Sequence, residues 1–258
     1  IAELVDSLSV RQQLEGQQKT YVEFMKKHIF AYLNPPITSK VLPMYWYLGY
    51  NVYSKGVLEV GGVILASWIV PIHENYDGLD YWCTCMFGED NPSDPYLIPT
   101  DRALLDRRRK MILAPVLEKA VKAGNIIIPE EFEVGFDHVT NLIAGLGMED
   151  DPNYYLTRGY PGSVNTYVFN SISEPANNSY PPTNEETFIG YMHLSMYYNQ
   201  ARLAEVYPAD KYPFLTEKFA FVQKYLKDKY QIDLEAIANG PEDWDLPLPP
   251  IPETPDEE

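Results

Sequence analysis

Four histidines, two cysteines and 37 carboxylates are the groups of this 258-residue chain with the most obvious chemical potential. His28, His73, His138 and His193 are scattered, and none forms an HExxH or HxxxH pair that would present two imidazoles to one zinc ion from a single helical face. No GxSxG elbow, phosphate-cradling glycine loop or dinucleotide fingerprint occurs. Cys83 and Cys85 flank a single threonine, whereas paired zinc cysteines are separated by roughly two to four residues and need two further ligands. Only His73 is near, so two small, part-buried residues at a strand end is the plainer reading. Asp77, Asp80, Asp90 and Asp94, with Glu74 and Glu89, supply hard oxygen donors that could hold calcium, and Glu149, Asp150 and Asp151 form a second cluster. Neither cluster follows the EF-hand spacing, and a solvated acidic loop is the default. Arg107-Arg108-Arg109-Lys110 reads as a solvated helix face or an intramolecular ion-pair partner.

The elements that must position these groups follow from composition and periodicity. With 20 basic against 37 acidic side chains the net charge is −17, which repels polyanions and argues against nucleic acid or an anionic membrane surface as partner. Two cysteines cannot make a disulfide framework. The 21 tyrosines and 22 prolines suggest aromatic contact surfaces on long irregular connections. The chain starts at Ile1 without a charged and apolar leader, so any export signal is expected to have been removed. The most apolar stretch, Gly56 to Ile72, is interrupted by Glu59, Gly61, Gly62 and Pro71, and its longest uninterrupted run, Val63 to Val70, is far short of the ~20 residues of a spanning helix. Its valines and isoleucines predict buried β-strands and no membrane-spanning segment.

Residues 3–33 read as a helix ended by Asn34-Pro35-Pro36, and Val41 to Val70 as two or three strands. His73 to Pro99 reads as a long acidic loop. A second helix is expected from Thr100 or Asp101 to Gly124, kinked or split at Pro115. Further helices are expected over Glu130–Ile143, Thr187–Val206, around Leu215, Phe219, Val222 and Leu226, and from Asp233 to Asn239-Gly240. The prediction is an α+β fold, a helix-rich domain over 1–240 with a small mixed sheet, followed by an extended, Pro-rich acidic tail over 241–258.

The segment Lys218-Phe-Ala-Phe-Val-Gln-Lys-Tyr-Leu-Lys-Asp-Lys-Tyr-Gln-Ile-Asp-Leu234 resembles the closing helix of a Bacteroidetes lipoprotein family, the substrate-import-associated zinc metallohydrolases. Ile128-Pro129-Glu130-Glu131-Phe132 and Asn184-Glu185-Glu186-Thr187-Phe188-Ile189-Gly190 resemble two intermediate markers of that family, in similar order over about residues 20–238. The resemblance implies a zincin-like domain. It also places the family's HExxH helix on Val116 to Val121, with Leu117 and Val121 at the two histidine positions, Glu118 at the glutamate, and Gly190 at the downstream ligand. All three metal ligands would then be missing, and neither Lewis-acid activation nor a metal-lowered water pKa would be available. The implied protein is a pseudo-enzyme without cofactor, on the bacterial cell surface and held at the outer membrane by a lipidated cysteine that is not in the chain shown. It would be accessory to a TonB-dependent, starch-utilisation-type nutrient importer and would bind importer proteins and a glycan or peptide substrate.

Tyr154, Tyr155, Tyr160, Tyr167 and Tyr180, in the irregular stretch before the Asn184 marker, are the candidate contact residues, because such rings bury apolar area and keep a hydrogen-bonding edge. Core packing explains them equally well. Two other classes stay open: a structural subunit of a phage particle or respiratory complex, wrapped around neighbours by its tail, and an active metal-dependent hydrolase built on the His73–Asp94 loop with Cys83 and Cys85.

Overall fold

A computed structural model of the chain describes residues 8–49, 53–71, 75–77, 81–85 and 98–248. Contacts divide it into two compact units, Ile1–Phe30 with Pro43–Arg109 and Glu242–Glu258, and Ala31–Leu42 with Lys110–Pro241, where the sequence reading drew one domain over 1–240 and a tail. Helices and small sheets are segregated along the chain, so the class is α+β.

The helix α1 (Leu8–Phe24) runs into a π-helical turn, Met25–Ile29, and a 3₁₀ turn, Phe30–Tyr32, so the predicted helix over 3–33 is present from Leu8 to Tyr32 with irregular last turns, and residues 3–7 lie outside the described residues. A three-stranded mixed sheet has the order β1 (Tyr45–Gly49), β5 (Tyr81–Cys85), β4 (Asn75–Asp77), with β1 parallel and β4 antiparallel to β5. Trp82 is buried and meets Trp46 edge-on at 5.3 Å, and Trp46 in turn meets Phe30 at 6.0 Å. The hairpin of β2 (Tyr53–Val60) and β3 (Val63–Pro71) turns at Gly61-Gly62, whose φ of +61° and +81° only glycine adopts cheaply.

That hairpin corrects one expectation. Val57, Leu58, Val60, Val63, Ile64, Leu65 and Trp68 are 44 to 62% exposed, not buried. β-branched composition selects the extended backbone, but burial needs a second layer, and β2 and β3 pair only with each other among the described residues. Residues 241–248 have neither helix nor strand, yet those beyond Pro241 lie along α1. Lys27 Nζ pairs with Asp243 at 2.9 Å, Thr20 Oγ1 donates to the Pro247 carbonyl, and Trp244 covers the fully buried His28 at 5.5 Å. Residues 249–258 lie outside the described residues.

The helix α3 (Arg102–Lys122) starts where Asp101 accepts the amides of Ala103 (2.9 Å) and Leu104 (3.0 Å) and passes Pro115 without splitting. Its basic run is solvated only at Arg107: Arg108, Arg109 and Lys110 are buried, with Arg109 paired to Asp106 at 3.0 Å and Lys110 donating to the Ala238 carbonyl at 3.2 Å. The ion-pair alternative therefore holds for Arg109, because the apolar stems pack inward on a helix whose neighbouring positions are Leu105, Met111 and Ile112.

The second unit holds α2 (Pro35–Thr38), the rest of α3, α4 (Glu130–Glu133), a β6 (Ser163–Val164) and β7 (Ile172–Ser173) pair, and then α5 (Asn184–Tyr197), α6 (Gln200–Val206), α7 (Pro213–Tyr230) and α8 (Leu234–Asn239). The predicted helix over Glu130–Ile143 shortens to one turn because Gly135, at φ +93°, redirects the chain. The predicted Thr187–Val206 helix is two helices, because Asn199 caps a new start by accepting the Arg202 amide at 2.8 Å. Leu113, Leu117, Phe132, Phe188, Leu194, Phe219, Val222 and Leu226 make the core and are at most 1% exposed.

Candidate binding site

A cavity of about 760 Å³ in the second unit lies between α3, α5 and the proline-rich stretch that precedes α5. Three of its side chains come from helices whose starts are locally encoded. Glu118 and Lys122 sit one turn apart on α3 and pair at 2.5 Å, which raises the Lys122 pKa. His193 projects from α5, whose first turn is fixed by a capping box: Thr183 Oγ1 accepts the Glu186 amide at 3.3 Å, and Glu186 accepts the Thr183 amide at 2.8 Å. Those bonds hold the Glu186 carboxyl below its ordinary range.

His193 is nine-tenths buried, and its Nε2 has no hydrogen-bond partner among the described residues. The nearest opposite charge is Glu118 Oε2 at 3.9 Å, too long for a hydrogen bond. Burial dominates, and pulls the imidazole pKa down to about 4 against the weaker opposing field of Glu118. At neutral pH the ring is therefore an uncharged donor and acceptor beside a carboxylate.

A network around Asp137 adjoins the cavity through Tyr160 and Pro182, which line it. A hydrogen bond from the Thr140 side chain, followed by the amides of Thr140 (3.1 Å) and Val139 (2.8 Å) that the Asp137 carboxylate accepts, lowers its pKa to about 2. Arg158 donates to the carbonyls of Thr140 (2.6 Å), Asn141 (3.2 Å) and Asp137, and Tyr160 donates to the Asp137 carbonyl at 2.8 Å. The Tyr160 hydroxyl is pushed up to about 12 by burial. His138 Nδ1 lies 2.8 Å from the Pro182 carbonyl and ties this network to the cavity rim.

The four positions that the sequence reading placed at a degenerate metal centre divide into two pairs. Glu118 and Gly190 line this one cavity. Leu117 and Val121 are buried apolar residues of α3 that do not line it. A Cβ at Gly190 would stand 3.2 Å from Pro161 Cγ, so a side chain there would press on the cavity wall. Among the described residues no three His, Cys, Asp or Glu side chains converge as a metal site.

The tyrosines separate as well. Tyr154 and Tyr155 are buried and meet edge-on at 4.8 Å, so they are core residues and not contact residues. Tyr160 is buried but lines the cavity, Tyr180 lines it and is 83% exposed, and Tyr167 is exposed away from it. Asp77 is on β4, whereas Asp80, Asp90 and Asp94, with His73, lie outside the described residues; Cys83 and Cys85 are on β5.

Sequence reasoning missed His193 and Lys122. The Thr183-x-x-Glu186 pattern could have fixed the α5 start, and from it the face shared by Gly190 and His193, three residues apart. The pairing with Glu118 has no local signal. No helix of the described residues is long and apolar enough to cross a membrane. No protein-family model matches the chain, and no curated protein or solved structure is similar to it.

Proposed function

We propose that this chain is a non-catalytic, zincin-like surface lipoprotein, accessory to a TonB-dependent, starch-utilisation-type outer-membrane importer, and that it acts by binding protein and substrate. The observation that carries the proposal is the shared cavity of Glu118 and Gly190, two of the four positions that the family resemblance assigns to a metal centre. A cleft lined by Glu118 and Gly190, with Leu117 and Val121 of the histidine positions buried outside it, suits a binding surface without those metal ligands. The exposed apolar hairpin of β2 and β3 supports the same reading, since contiguous exposed apolar area on a protein of this charge is characteristic of a surface that meets a partner.

Affinity purification of the tagged chain from detergent-solubilised native membranes is expected to enrich importer subunits, with the chain in the outer-membrane fraction. Recovery in the soluble fraction with no importer subunit would contradict the role.

A further inference from the structure

The cavity beside His193 has a polar floor and a rigid apolar rim, and together they select a ligand chemistry. The floor holds a buried imidazole nitrogen without a hydrogen-bond partner among the described residues, a group that is costly to leave unsatisfied. Its distance of 3.9 Å from Glu118 Oε2 is one that a single oxygen can bridge at about 2.8 Å from each. Nε2 is closed to solvent, so the Glu118 side chain, one-third exposed and paired with Lys122, has to turn outward to admit that group.

We propose that this cavity binds a neutral polyhydroxylated molecule of sugar size, one hydroxyl of which bridges His193 Nε2 and Glu118 Oε2. This deepens the substrate-binding part of the function proposed above and rests on it; the importer association is not required. A hydroxyl can donate its one proton to the carboxylate and at the same time accept from the Nε2–H of the uncharged ring. A carboxylate or phosphate has no proton for Glu118 and meets the field of Glu118, Glu185 and Glu186. A cationic group is disfavoured because Lys122 already pairs with Glu118. Glu186 is likewise occupied by the α5 cap.

The rim supplies the remaining contact. Tyr180, Pro161, Pro175, Pro181 and Pro182 offer flat C–H and ring surfaces that lie against a sugar face, and prolines lose little side-chain entropy on contact. A volume of about 760 Å³ falls within the range of small-molecule sites and takes one or two sugar rings.

The test follows the His193 ring by NMR in the full chain, with the signals assigned through His193→Gln. The neutral probes are glucose, galactose, mannose, maltose and cellobiose, and the charged ones are glucuronate, glucosamine and a tetralysine peptide. At least one neutral saccharide is expected to shift the ring signals saturably below about 100 mM, with glucuronate at least about tenfold weaker. Glu118→Gln, with unchanged circular dichroism, is expected to weaken the neutral ligand about tenfold by removing the charge from one hydrogen bond. Saturation by glucosamine or tetralysine alone would overturn the ligand class while leaving the cavity a binding site. Signals unmoved by every probe would overturn the ligand class and the binding role of the cavity, without touching the importer association, which is read by co-purification.

Discussion

Lys218→Ala is expected to destabilise the second unit by about 4 kcal/mol, with Lys218→Met losing about half as much. The residue is 3% exposed, and burial lowers its pKa from the ordinary lysine value. Its ammonium stands over four rings, Phe214 at 5.1 Å, Phe136 at 5.4 Å, Phe132 at 5.7 Å and Phe221 at 5.9 Å. It also donates to the Phe132 carbonyl at 2.8 Å and to that of Glu131 at 3.4 Å, closing the single turn of α4 onto α7.

Methionine keeps the stem that fills the space between the rings but leaves the Phe132 carbonyl without its donor, whereas alanine also opens a cavity. All four tryptophans, Trp46, Trp68, Trp82 and Trp244, belong to the first unit. Denaturation followed by circular dichroism, which weighs the helices, should therefore shift while the tryptophan signal moves less. A Lys218→Ala midpoint within about 1 kcal/mol of the parent would show that the aromatic cage contributes little.

Acidification from pH 6.5 to about pH 4 is expected to destabilise both units. His193 in the second unit and His28 in the first each have a folded pKa of about 4, against an ordinary value of 6.5. Burial is the leading cause for both, and for His28 the positive charges of Arg109 and Lys27 add to it against the weaker fields of Asp243 and Asp106. The native rings stay neutral through this window and the unfolded ones take up a proton, so the unfolded state binds more protons and stability falls with falling pH. The loss through either ring is on the order of 3 kcal/mol as an upper figure.

Carboxylates held below their ordinary range, Asp137, Glu186, Asp233 and Asp243, stabilise the folded state at higher pH and lose that contribution as pH falls through their folded values, so they act in the same direction at lower pH. His28 stacks on Phe24 at 5.2 Å and faces Trp244, so the first-unit transition is readable in tryptophan fluorescence. His28→Phe should flatten that pH dependence without moving the circular-dichroism slope that His193 sets. Equal stability at pH 6.5 and pH 4.5 would contradict both assignments.

Elements with local signals were legible in the chain. Asp101 and Gly124 bracket α3, and Asp233 and Gly240 bracket α8, because a capping side chain and a positive-φ glycine act within a few residues. The stripe of Leu215, Phe219, Val222 and Leu226 marked the buried face of α7. What depends on distant parts of the chain was not legible. Valine and isoleucine marked the β2 and β3 strands but not the exposure of Val57 to Trp68, which is decided by whether another layer covers them. Tyr154 and Tyr180 are the same residue type in similar irregular sequence, yet one is in the core and the other on the cavity rim. At the site itself, Glu118 and Gly190 were singled out from the sequence, while His193 emerged only once α3 and α5 were brought side by side.

The central claim is that the Glu118, Gly190 and His193 cleft binds ligand and does not perform metal-dependent hydrolysis. Zinc content by elemental analysis after equilibration with zinc and dialysis, paired with a peptide and glycoside hydrolysis assay on the same sample, tests it most directly. The expected result is zinc well below one equivalent and no zinc-dependent turnover, unchanged by Glu118→Gln or His193→Gln. Stoichiometric zinc with turnover, both lost in those two variants, would contradict it.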